Sequence, residues 1–338
     1  MNDRNFVGVF SVNHYADEKS TFVKHSVLFL LTFVTATISG AIYPFGPIQI
    51  FSDSAENVSY NFLDYLYFPL YYALFIADVV RLLLTDVSIL IAGLSFSSSL
   101  LFILLSHEAG HYFACKLYGV RATLPYFIPV PPLIGPAGTL GAFIKIKSSI
   151  PSRRATFDIG VSGPIAGFVA IIPIAVLGFI QMKLSPSENV PSDIVFADPP
   201  LMKLMAALFS IDLTQLGFAK MNSFYSAAWL GLLVTALNLM PVGQLDGGHA
   251  VYALFGKKAH FRIGIFCVIF MTFLALIGLV FHNSPSGLVF AFLLAVMLAV
   301  PHPETAEKTP LDGKRKLIAL AVLLIFSVSF TPFPIKIS

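Results

Sequence analysis

The sequence predicts an all-α, polytopic membrane protein of about six to eight transmembrane helices, with a small re-entrant β or loop element near its functional site. Three observations carry that expectation. First, 57% of the 338 residues are hydrophobic and only 12% are charged, about half the charged share of a soluble domain. So few charges cannot coat a soluble globule of this size. Second, long apolar runs recur, each near the roughly 20 residues a helix needs to cross a bilayer. Third, the stretch from Leu124 to Ser149 is broken by Pro125, Pro129, Pro131, Pro132, Gly135, Pro136, Gly138 and Gly141. Irregular backbone at membrane depth is tolerated only against protein or a water-filled cavity, so a cavity is expected beside it.

The elements follow in order. Apolar helices are expected over about 26–43, 88–118, 157–182, 224–242, 263–281, 286–300 and 317–333. The run 286–300 is short and reads as tilted or re-entrant. Residues 62–84 carry Tyr65, Tyr67, Tyr71, Tyr72, Asp78 and Arg81, a pattern suited to the interface as much as to a span. The 25 residues at the start are polar and long for a signal peptide, which favours an uncleaved anchor. Ala142 to Lys147 alternates apolar and cationic residues, as a half-buried strand does.

The net charge of +3 is too small to argue for a nucleic-acid partner. Cys115 and Cys267 both fall in apolar stretches, so no disulfide framework is expected. The loops 119–156, 256–262 and 301–316 are rich in Lys and Arg, whereas 44–61 and 282–286 carry none. The positive-inside rule puts the basic loops on the cytoplasmic side and 183–225 on the other, provided 62–84 does not fully span.

Chemistry concentrates in Ser106-His107-Glu108-Ala109-Gly110-His111. Histidines at i and i+4 share one helical face and can share a metal, and the glutamate between them can act as a general base. With eight histidines and six glutamates in the chain, chance supplies this pattern only about 0.003 times. Counted from Ile89, His107 lies about 27 Å along the helix, inside the membrane but near its cytoplasmic face. A catalytic zinc takes a third protein ligand. Cys115, about 12 Å from His107 along the axis, is too far away. Asp246, in Asn238-Leu239-Met240-Pro241-Val242-Gly243-Gln244-Leu245-Asp246-Gly247-Gly248-His249, is the better candidate. A plain turn capped by Asp246 and ligation by His249 are the alternatives.

At these residues the sequence resembles the site-2 protease family of intramembrane zinc metalloproteases. HEAGH (107–111), NLMPVGQLDGG (238–248) and SGPIAG (162–167) carry the resemblance, which covers about residues 88–260. GTLGAF and PVGQLDGGHAVYALFGK bring it nearest to the plant chloroplast and cyanobacterial branch. It implies Zn2+ held by His107, His111 and Asp246, Glu108 as catalytic base, and Asn238 assisting substrate or transition-state binding. It implies regulated intramembrane proteolysis of a membrane-spanning protein substrate within the lipid bilayer, at the cytoplasmic face of a prokaryotic plasma membrane. No loop is long enough for the PDZ domain some members carry. The expected organisation is a tail, first span and interfacial segment (1–86), a catalytic core (87–262) and C-terminal transmembrane helices (263–338). A membrane metal-ion transporter and an inactive binding protein are the alternative functions.

Overall fold

The computed structural model describes residues 4–48, 62–184, 194–213, 221–303, 305 and 309–337. Helices dominate: α1 (Arg4–Ala41), α2 (Phe62–Thr85), α3 (Val87–Leu117), α4 (Arg153–Leu184), α5 (Pro200–Phe209), α6 (Ser223–Asn238), α7 (Asp246–Phe255), α8 (Lys257–His282), α9 (Ser286–Leu298) and α10 (Gly313–Ser329). Among the described residues, the short strands β1 (Tyr126–Pro129), β2 (Thr139–Phe143), β3 (Ile194–Phe196) and β4 (Ile335–Ile337) form two antiparallel pairs, β1–β2 and β3–β4.

Among the described residues, five helices are long and apolar enough to cross a membrane: Thr21–Ala41 within α1, Leu66–Thr85 within α2, α3, α4 and α8. α5, α6 and α9 are shorter apolar helices. The 62–84 segment therefore has the length of a full span. The N-terminal orientation that depends on it runs through residues 49–61, which lie outside the described residues. The connection 183–225, expected as a loop, contains β3 and α5; its residues 185–193 and 214–220 also lie outside them. Its apolar residues Leu201, Met202 and Met205 are buried against α4 and α6, a tertiary contact that local sequence does not reveal.

Burial ranks the helices. In α3 and α4, 44% of the apolar window is buried, against 11% in α2 and 22% in α8. The first two form the centre, while the others turn residues such as Leu84, Phe266 and Phe281 outward, a surface suited to lipid and not to water. Local signals set the ends. Asp86 caps α3 by accepting from the Ser88 and Ile89 amides, Asn222 caps α6 from Tyr225, and Asp312 caps α10 from Arg315.

The irregular stretch is a hairpin laid along α1. His25 Nδ1 lies 2.9 Å from the Pro125 carbonyl, Phe29 packs edge-on against Phe127, and the Thr35 hydroxyl donates to the Gly138 carbonyl at 2.7 Å. Ten residues of α1 separate the first and last contacts, so the hairpin reaches about 15 Å into the depth of that span. Its second strand starts earlier than expected, at Thr139, and pairing resumes at Ile146 opposite Ala122. The basic loops gather at one end of the bundle. There Arg153 donates to the Tyr252 carbonyl, and Arg315 of α10 pairs bidentately with Asp158 of α4, which also accepts from Tyr118 at the end of α3. The β3–β4 pair closes the other end, where the Trp229 indole donates to the Ala197 carbonyl.

Candidate metal centre

His107 and His111 lie one turn apart on the inner face of α3, with their Nε2 atoms 3.1 Å apart. The third member arrives from elsewhere in the chain. α6 stops at Asn238, the turn 239–245 runs through Pro241 and a left-handed Gly243 (φ +55°), and Asp246 opens α7. Its carboxylate places Oδ2 3.2 Å from His107 Nε2 and Oδ1 3.3 Å from His111 Nε2. All three side chains are buried or nearly so. Among the described residues these three form the one group of His, Cys, Asp or Glu with ligand atoms close enough to hold a metal.

The donor chemistry fits zinc. His111 Nδ1 lies 2.7 Å from the Ile159 carbonyl; a carbonyl only accepts, so Nδ1 carries the proton and Nε2 presents its lone pair inward. Bonds of about 2.0–2.1 Å arranged tetrahedrally require ligand atoms about 3.3–3.4 Å apart. The observed separations of 3.1–3.3 Å are close to that.

Glycines create the space. A methyl group on Gly163 of α4 would sit 2.5 Å from Cδ2 and Cε1 of His111 and closer still to Nε2. One on Gly110, within the motif itself, would collide with the Ser162 carbonyl and lie 3.0 Å from Gly163 Cα. The two backbones can approach only because both side chains are absent. The small residues of Ser162–Gly167 thus bring α4 onto the face of α3 that carries His107 and His111.

Glu108 is buried. It opens into the same cavity as the His–His–Asp group, a space of about 1250 Å³ that Asn238, residues 142–146, His249 and His302 also line. The Asn238 amide Nδ2 lies 3.4 Å from His107 Nε2. Cys115 packs instead with Ala114, Val120, Ala155 and Ile159, and both cysteines are free. His249 is outside the metal group.

Residues 95–278, more than half of the chain, match Peptidase family M50. The chain belongs to this family. Among curated relatives, it is similar to the probable zinc metalloprotease EGY1, chloroplastic, of Arabidopsis thaliana (31% identity over 69% of the chain and 42% of the relative). It is also similar to the rice EGY1 of Oryza sativa subsp. japonica (30%, over 72% and 41%) and to EGY2 of subsp. indica (29%, over 68% and 40%). The M50 chain thus spans less than half the length of these relatives. The cofactor that M50 membership and the donor set assign is zinc. Helix length and apolarity agree with a multi-pass membrane protein. The expected compartment does not survive: the relatives carry chloroplastic names, which conflicts with a prokaryotic plasma membrane and a site at its cytoplasmic face. Lys/Arg asymmetry reports which loops share a side, and it carries no information about which membrane they belong to.

Proposed function

We propose that this M50 protein is an intramembrane zinc metalloendopeptidase that cleaves transmembrane or membrane-proximal segments of a membrane-spanning protein substrate in regulated intramembrane proteolysis. The observation that carries the reading is the convergence of His107, His111 and Asp246 within 3.1–3.3 Å, with Glu108 opening into the same cavity. His107, His111 and Asp246 hold the ion. Zinc, when bound, supplies Lewis acidity, polarising the scissile carbonyl and making water acidic enough to attack at neutral pH.

The chain's own residues do the rest. Glu108 takes the proton of the attacking water and passes it to the leaving amine. Asn238, within reach of the His107 ring edge, donates its amide to the developing charge on the carbonyl oxygen. Helical substrates hide their peptide bonds, so a segment must unwind before cleavage. The segment 142–147, which continues β2, offers a place for it: Lys145 and Lys147 bond to Thr123 and Arg121 on one side. The alternate groups at Ile144 and Ile146 are then left facing away from that partner. An extended peptide can pair with that edge beside Glu108. Residues 87–262 would then form the catalytic core, with 1–86 and 263–338 flanking it in the bilayer.

The test is zinc content and cleavage of a single-span substrate by the full chain and by Glu108→Gln. The variant should bind zinc normally and lose cleavage by at least about 100-fold. Retained cleavage in Glu108→Gln would remove the general base from the proposal.

A further inference from the structure

Another wall of the cavity carries two histidines that the metal chemistry does not use: His249 of α7, and His302 in the connection between α9 and α10. Their hydrogen bonds fix both tautomers. His302 Nδ1 lies 2.7 Å from the Pro303 carbonyl, so that nitrogen bears the proton. Burial pushes both imidazoles down, His302 to about 3 and His249 to about 4, and each neutral ring has a single N–H. His302 Nε2 is therefore bare, and it lies 2.7 Å from His249 Nδ1, which must donate to it. The chain of bonds ends at His249 Nε2, an acceptor with no hydrogen-bond partner among the described residues.

The arrangement is held firmly. Gln244 Nε2 donates to the Pro301 carbonyl at 2.8 Å, and the Tyr252 ring stacks on His302 at 4.0 Å with a 13° interplanar angle. The segment bearing His302 is thereby tied to the turn and helix that bear Asp246. Such anchoring suits a side chain that must present one lone pair in one direction.

We propose that His249 Nε2 accepts a backbone N–H from the unwound peptide substrate, and that His302 is a positioning residue that fixes the tautomer for this task. The inference rests on the peptidase reading above and adds a specificity rule. At one position near the cleaved bond the substrate is favoured by an amide N–H, so proline and ester linkages are disfavoured there.

The test uses the zinc-loaded full chain in detergent and a synthetic single-span peptide. Single esters replace the amides within three residues of the cleaved bond, the cleaved bond itself excepted. One ester should lower kcat/KM about tenfold with the native protein, the size of one hydrogen bond, and have no further effect in His249→Ala. Ester and His249→Ala effects that multiply at every position would overturn the proposal.

A second pair of variants separates positioning from packing. His302→Asn loses the stacked ring but keeps an acceptor for His249 Nδ1–H, and should raise KM less than about threefold. His302→Phe keeps the ring and loses the acceptor, and should raise KM about tenfold with kcat within twofold and zinc content unchanged. The reverse ranking, or loss of zinc from His302→Phe, would overturn the assignment. A native protein that cleaves no amide-only peptide would refute the peptidase reading itself, and this inference with it.

Discussion

Gly163→Ala adds a single methyl group to α4, yet the site geometry makes it a severe change. The new carbon would stand 2.5 Å from two ring carbons of His111, where ordinary contact begins near 3.5 Å. The imidazole must therefore retreat by about 1 Å, whereas a zinc–nitrogen bond tolerates about 0.2 Å. Disturbing only the groups that orient a ligand costs about 10–100-fold in metal affinity. Displacing the ligand itself should cost at least about 100-fold, or about 2.7 kcal/mol. Gly167→Ala is the internal control: its methyl would sit 3.2 Å from Cβ and Nδ1 of His107, so a shift of a few tenths of an ångström accommodates it. Zinc affinity should be measured by chelator competition on the purified protein, with elemental analysis for stoichiometry. The expected order is native, then Gly167→Ala within about tenfold, then Gly163→Ala far below. Native affinity in Gly163→Ala would refute the reasoning, because it would mean that His111 does not hold the metal.

Other expectations follow from the same geometry. Asp246→Ala removes the carboxylate that touches both histidines, so zinc stoichiometry and cleavage should fall together; full occupancy would transfer the ligand role to another residue. Arg315→Ala strips the bidentate partner from Asp158 and frees α10 from the ends of α3 and α4. It should cost about 2 kcal/mol in a half-buried setting, read as a lower unfolding midpoint in detergent. The depressed pKa of His302 has a definite sign. Its unfolded value lies near 6.5, so the unfolded state binds the extra proton, and this stability is present above that pH and lost as pH falls towards 3. Between pH 7 and pH 4 the unfolding midpoint of the native protein should drop more than that of His302→Asn. An equal drop would show that His302 does not titrate this way.

Much of this was legible before any coordinates. The apolar excess and the recurrence of long runs place α3 and α4 nearly to their ends, because spanning lipid demands length and apolarity that few other structures need; α1 and α8 begin earlier than the apolar runs, at Arg4 and Lys257, because a helix can continue into polar sequence outside the lipid. The spacing of His107 and His111 is likewise local: 3.6 residues per turn puts them on one face wherever the helix lies. The broken stretch before Ser149 announced a cavity, since unpaired backbone cannot face lipid. Residues 62–84 were harder, because tyrosines and a charged pair serve an interface and a span equally well.

The sequence by itself determined that the chain lives in a membrane, that one helix carries a candidate metal-binding pair with a carboxylate beside it, and that Asp246 was a candidate to complete the set. Only the tertiary structure decided that Asp246 touches both histidines and His249 stays outside the metal group. A turn of seven residues between α6 and α7 can aim its side chains in many directions, and only packing selects one. The close approach of Gly163 to His111, and the joining of His302 to His249 across 53 residues of chain, belong to the same category. Such contacts arise from helices meeting at a fixed crossing, which no local pattern encodes. The helix that bears His107, Glu108 and His111 was written in the sequence, and the walls around it were set by the fold.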